Sequence, residues 1–264
     1  MAENRLFWDI QVTSSDIDVR KIGVSDLWQS LKEGVEDFNA KPSIGLFLVL
    51  IYPLFALLVT LVVVSDDLLY LGFPIMAGLT LLGPMISVAL FEMSRRRERG
   101  LDLNWRSAFA FIHSSAFAPI TALSIVMMFL YVSWLFMAEF IYFGTFGATP
   151  PESMADFLNQ LISTRHGHGL VIYGNGVGFL FACATLAISV VAFPLLLDKP
   201  TTSFTAVAVS FRAFATNILV MALWGMIVVA LLAFGAVFFL IGLVAVLPIL
   251  GHATWHLYRK LVVT

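Results

Sequence analysis

Five apolar blocks alternate with shorter polar stretches along the chain: Ile44–Val64, Leu69–Met93, Ala116–Phe143, Leu170–Leu197 and Ile218–Leu257. A helix needs about 20 apolar residues to cross a hydrocarbon core of about 30 Å, and every block reaches that length. The fifth runs for 40 residues. As one helix it would measure about 60 Å, twice what a crossing requires. It therefore reads as two spans with a tight turn near Gly235–Gly242. The expected spans are 44–64, 69–93, 119–143, 170–197, 218–236 and 239–258. In a dry core each span must satisfy its own backbone hydrogen bonds, which makes it helical. Residues 1–23 read as a polar tail and 24–264 as a single membrane domain. No short apolar block opens the tail, so a cleaved signal peptide is not expected.

The polar stretches carry a pattern of their own. Ser25, Asn104 and Ser203 are residue types that cap helix starts, and each opens a run with apolar residues three and four apart. In the first run Leu27, Trp28, Leu31, Val35 and Phe38 share one face, opposite Lys32, Glu33, Glu36 and Asp37. Trp105, Ala108, Phe109 and Ile112 do the same in the second, and Phe204, Val207, Ala208, Phe211 and Phe214 in the third. This period predicts amphipathic surface helices over 25–38, 104–117 and 203–216, each leading into a pair of spans. Asn39 and Asn217 each lie fourteen residues after their opening serine. A fourth amphipathic helix is expected after Pro150–Pro151, where Met154, Phe157, Leu158, Leu161 and Ile162 form a stripe. It would rest on the bilayer or cover a partner. The expected fold is thus an all-α polytopic membrane protein: six transmembrane helices arranged as three hairpins, each preceded by an amphipathic surface helix.

Composition agrees with this architecture. Of 264 residues, 60% are hydrophobic and 12% charged, whereas a soluble domain carries about 25% charged residues. That argues against a soluble or disordered protein, and the formal net charge of −2 gives no global attraction to nucleic acid. The basic residues set a direction. Arg5, Arg20, Lys21, Lys32, Lys41, Arg95, Arg96, Arg97, Arg99, Arg106, Lys199, Arg212, Arg259 and Lys260 fall on one side of the six-span arrangement, and only Arg165 on the other. Positive residues mark the cytoplasmic side, so both termini are expected there.

Candidate chemistry is sparse. Glu92 sits at the inner end of the second span beside Arg95 and Arg96, and Glu139 near the outer surface. Neither stands at the midplane, where a proton or ion relay would need it. His166 and His168 form a pair in the outer loop, two ligands where a zinc site takes three or four. His252 and His256 lie four apart on one helix face of the last span, a spacing that suits a metal or haem iron. Trp255 and Tyr258 beside them read instead as an aromatic membrane boundary. The single cysteine, Cys183, cannot form an intrachain disulfide. No catalytic residue, no metal and no cofactor is predicted, haem at His252 and His256 being the alternative left open. The expected partner or lipid surface comprises Trp28, Leu31, Arg95, Arg96, Arg97, Arg99, Met154, Phe157 and Leu161.

Four stretches resemble a known family: DLWQSLKEGVEDFNAKPSIGLF (Asp26–Phe47), FEMSRRRERG (Phe91–Gly100), FPLLLDKPTTSFTAVAVSFRA (Phe193–Ala213) and LPILGHATWHLYRKLV (Leu247–Val262). The chain resembles, through these, the bacterial integral-membrane domain-of-unknown-function family 2189. The resemblance implies a multi-span protein of the bacterial inner membrane with no established activity. Some members carry a cytochrome c oxidase label, but the catalytic oxidase subunit needs histidines deep in its spans and none here lies at that depth. The expected function is a non-catalytic accessory, assembly or scaffold component of a larger membrane complex, with respiratory subunits as the first partners to seek. The alternative is a carrier or channel for an apolar or lipid-like solute. Membrane lipids are expected as partners, and nucleic acid is not.

Overall fold

The computed structural model describes residues 13–42, 69–147, 151, 153–237 and 242–263; the expected first span, 44–64, lies outside them. Among the described residues the chain is helical, with one isolated antiparallel bridge, Val19 to Val262, and no strand. The helices are α1 (Val24–Ala40), α2 (Gly72–Leu79), α3 (Gly83–Ile86), α4 (Val88–Glu98), α5 (Phe117–Phe146), α6 (Met154–Ser163), α7 (Arg165–Ser189), α8 (Ala192–Asp198), α9 (Ser203–Thr216), α10 (Ile218–Val237) and α11 (Leu243–Leu261). Among the described residues four stretches are long and apolar enough to cross a membrane: Gly72–Glu98, Phe117–Phe146, Arg165–Asp198 and Ile218–Val237.

Prolines explain the breaks in two of these stretches. A proline has no N–H and its ring clashes with the carbonyl four residues earlier. Pro84 thus disturbs Thr80, where the backbone tightens into a 3-10 turn over Thr80–Leu82. Pro194 disturbs Val190, where α7 ends and the chain turns before α8. The expected 40-residue block is also divided: α10 ends at Val237 and α11 begins at Leu243. α11 is not among the four span-length apolar helices, because His252, His256, Arg259 and Lys260 occupy its second half.

The described residues fall into two compact units. The first is drawn from Met1–Leu50, Pro84–Ile125 and Leu186–Thr264. In it α1 packs along α11, α4 packs on α11 and α8, and α9 packs on α8 and α10. Its fully buried side chains include Leu27, Phe91, Phe193, Leu195, Trp224, Trp255 and Tyr258. The second unit is drawn from Ile51–Gly83 and Val126–Thr185. Tyr70 and Tyr142 stack there with ring centroids 4.0 Å apart, Phe157 meets Tyr142 edge-on, and the Trp134 indole donates to the Pro74 carbonyl over 2.8 Å.

Several local expectations need correction. The polar tail is anchored before α1: Ile17 is fully buried, the Arg20 amide donates to the Leu261 carbonyl over 2.8 Å, and the Val263 amide to Asp18 over 3.0 Å. Ser25 does not open α1; the helix starts one residue earlier, and the Asp26 carboxylate accepts the Gly23 amide instead. Ser203 does not cap α9. Thr202 accepts the Thr205 amide, which frees the Ser203 hydroxyl to donate to the Pro119 carbonyl over 2.8 Å. The stretch 104–117 is a 3-10 helix over Ser107–His113 followed by a break. Asn104 accepts the Ser107 amide as expected of a cap, but Ser114 ends that helix and its hydroxyl accepts the Ala116 amide just before α5.

Candidate functional site

The polar residues of α1, α4 and α11 converge in the first unit, and helical spacing explains how. Glu33 and Asp37 are four apart on α1, Ser94, Arg97 and Glu98 lie within four residues on α4, and His252, His256 and Lys260 repeat every four on α11. Residues at that spacing share a helix face. Close approach of the backbones brings the faces together. A Cβ at Gly34 would lie 2.7 Å from the Ala253 nitrogen, and one at Gly251 would lie 2.5 Å from Leu90 Cδ1. Only hydrogen at these two positions lets α1 and α4 come this near to α11.

Asp37 is the hub. It is only 6% exposed, and its carboxylate can accept but not donate. The Ser94 hydroxyl donates to Oδ2 over 2.5 Å, His256 Nε2 donates to the same oxygen over 2.8 Å, and Arg97 pairs with Oδ1. Ser94 has one proton, used on Asp37, so its oxygen accepts from His252 Nδ1 at 2.8 Å. That fixes a proton on Nδ1 of His252. Burial raises the Asp37 carboxyl pKa, but the bonds from His256, Ser94 and Arg97 outweigh burial and hold it at about 2, below the usual 3.8.

Around this floor runs a rim of ion pairs. Lys260 Nζ lies 3.0 Å from Glu33 Oε2, which His256 Nδ1 also approaches at 3.4 Å. Arg259 Nε donates to Glu98 Oε1 over 3.0 Å, and its Nη1 reaches Asp198 at 3.4 Å. The Trp255 indole donates to Glu98 over 3.3 Å, and the Tyr258 hydroxyl to Asp198 over 2.9 Å. Rim and floor enclose an open cleft of about 520 Å³ lined by Glu33, Asp37, Ser94, Arg97, Glu98, His256, Arg259 and Lys260.

A serine, two histidines and an aspartate in contact invite comparison with a nucleophilic triad. There the hydroxyl donates to an imidazole and the imidazole to the carboxylate. Here the hydroxyl donates to the carboxylate and Ser94 is 1% exposed, so the bonding order differs from that of a triad and links three helices.

The expected site residues are distributed differently from the sequence reading. His252 and His256 meet carboxylates contributed by α1, not an aromatic boundary alone. Asp37, expected on the polar face of its helix, is buried, and so is Leu31, expected on a partner or lipid surface. Trp28 is 68% exposed. The arginines are engaged within the chain: Arg95 with Glu92 and the Leu197 carbonyl, Arg96 with Glu92 and the Asp102 carbonyl, Arg97 with Asp37, Arg99 with Asp198. In the second unit Phe157 is buried and Leu161 packs beside it, while Met154 stays exposed. His166 is exposed on the first turn of α7, and His168 bonds the Ile162 carbonyl at 2.9 Å. Among the described residues no group of three or more His, Cys, Asp or Glu is arranged to hold a metal. Sequence reasoning passed over Glu33, Asp37, Ser94, Glu98, Asp198, Arg259 and Lys260 as site members. The signal was present in the matching spacing of Glu33 and Asp37 with His252, His256 and Lys260, acids on one helix and bases on another.

Residues 72–198 match the family described as predicted integral membrane protein (DUF2189). Of the four stretches that suggested this family, Phe91–Gly100 lies within the matched residues and Phe193–Ala213 overlaps their end. No curated protein and no solved structure matches the chain.

Proposed function

We propose, for a chain whose residues 72–198 match a family of predicted integral membrane proteins of unknown function, a non-catalytic accessory or scaffold component of a larger membrane complex. In this reading the chain crosses the bacterial inner membrane six times with both termini in the cytoplasm, carries no catalysis of its own and binds no cofactor. The supporting observation is the clamp around Asp37. Its acids and bases are paired with one another across α1, α4, α8 and α11, so their charge serves to hold these elements in one arrangement. A rigid inner assembly that also exposes Trp28, Trp105 and Phe204 suits a protein that positions partners, since exposed aromatics are favoured contact residues at interfaces.

The test is a tagged pull-down from native membranes in a mild detergent, with mass spectrometry and a visible absorption spectrum on the same eluate. Stoichiometric membrane subunits are expected, and haem bands, if present, would come with those subunits. An eluate containing this chain alone would overturn the accessory reading and turn attention to transport of a lipid-like solute.

A further inference from the structure

The cleft above Asp37 has a lining of unusual uniformity: all eight side chains are polar and six carry formal charge. Glu33, Asp37 and Glu98 face Arg97, Arg259 and Lys260, so the formal charge of the six sums to zero. A simple anion entering here meets carboxylates, and a simple cation meets guanidinium groups. A ligand bearing both signs close together finds partners for both at once. We propose that this cleft binds a zwitterionic ammonium–phosphate group, of the kind carried by an ethanolamine phospholipid headgroup.

Three features of the site support this assignment. The floor is fixed while the rim can exchange partners. Asp37 and Ser94 are buried and mutually bonded, whereas the side chains of the Arg259–Glu98 pair are 28% and 39% exposed. Exposed ion pairs contribute only about 0–1 kcal/mol, so a ligand charge can replace one partner at small cost. The donor chemistry matches too. Planar guanidinium groups of Arg97 and Arg259 suit phosphate oxygens, and Glu33 and Glu98 can accept the three N–H bonds of a primary ammonium. A quaternary ammonium has no N–H to offer, and no aromatic side chain lines the cleft to hold it by its ring face. Position along the helices is the third feature. The span-length stretches Gly72–Glu98 and Arg165–Asp198 end at Glu98 and Asp198, both partners of Arg259. The cleft therefore stands where apolar helix gives way to polar chain, the level of a headgroup. Its size suits a small polar group.

The proposal is independent of whether partner proteins exist. It is tested with the full-length protein, delipidated in detergent and titrated with dihexanoyl lipids bearing ethanolamine, choline or glycerol headgroups, with free phosphoethanolamine and with inorganic phosphate. Binding is read by calorimetry and by tryptophan fluorescence, since Trp255 donates to Glu98. Saturable binding of the ethanolamine lipid is expected, about tenfold tighter than choline or glycerol lipid. Glu33→Gln and Glu98→Gln should each weaken it by about tenfold, with thermal unfolding confirming that the variants fold. Lys32→Gln, an exposed change on α1 outside the cleft, should leave binding unchanged. Equal affinity for free phosphoethanolamine supports the same headgroup chemistry with a soluble source. Equal affinity for glycerol lipid or inorganic phosphate, no saturable binding, or unaltered binding in both glutamine variants overturns it.

Discussion

Asp37 of α1 gathers polar contacts from both α4 and α11. Its carboxylate satisfies Ser94, His256 and Arg97 together, so Asp37→Asn leaves buried donors facing a neutral amide. Removing one partner of a buried ion pair typically costs about 3–5 kcal/mol. The variant should unfold at a clearly lower temperature in detergent; an unchanged midpoint would show that the clamp carries no stability. A pH dependence follows from the same bonds. The folded carboxyl is held at about 2 against the usual 3.8, so the folded state binds fewer protons than the unfolded one in that range. The stabilisation is complete above pH 3.8 and lost as pH falls through about 2. Wild type should lose more stability than Asp37→Asn across that window, and parallel curves would contradict the assignment. Asn217 offers a second residue-scale case. Buried at the end of α9, its side chain accepts the Ile22 amide and donates to the Arg20 carbonyl, each over 2.9 Å. Asn217→Ala should cost about 1–3 kcal/mol and speed proteolysis before α1. Its position fourteen residues after Ser203 was visible in the sequence, but its partners lie 195 and 197 residues away and no local pattern points to them.

At the scale of elements, the sequence gives helix existence more reliably than helix surroundings. The period of α1 separates buried Leu27 and Leu31 from exposed Lys32 and Glu36, but Trp28 and Val35, expected on the same face as Leu27, are exposed. It misplaces Asp37, because an apolar–polar pattern assumes water or lipid on the far side and here a third medium is present, the polar face of another helix. Gly34 decides that contact. A methyl group there would press on the backbone of Ala253 and Ile249, and overpacking of this kind costs about 1–3 kcal/mol. Gly34→Ala should lower the unfolding temperature and expose the linker before α1 to protease, while Val35→Ala on the exposed side should do neither. A Gly34→Ala protein as protected as wild type would mean that α1 is held by its ends alone. The breaks at Thr80–Leu82 and Val190–Val191 lie just before Pro84 and Pro194, a local effect of the proline ring.

For the whole molecule, the six-span arrangement makes a topological prediction. In a Cys183→Ser background, Ser25→Cys and Ser163→Cys should react with membrane-impermeant maleimide from opposite sides of sealed vesicles. Labelling of both from one side would contradict that arrangement. Residue composition and block length alone pointed to a helical membrane protein, because the cost of unsatisfied backbone in a bilayer leaves an apolar segment of about 20 residues little choice. The sequence likewise implied that the 40-residue block 218–257 is interrupted, since a helix of twice the bilayer thickness has nowhere to go. Tertiary structure alone decided what the charges do. Arg97, Glu98 and His256 could each have faced water, lipid headgroups or one another, and those alternatives differ by only about 1 kcal/mol per exposed pair. The choice fell to backbone approach at Gly34 and Gly251, contacts between residues more than 150 positions apart. Hydrophobic patterning is a property of neighbours in sequence, and the cleft is a property of neighbours in space.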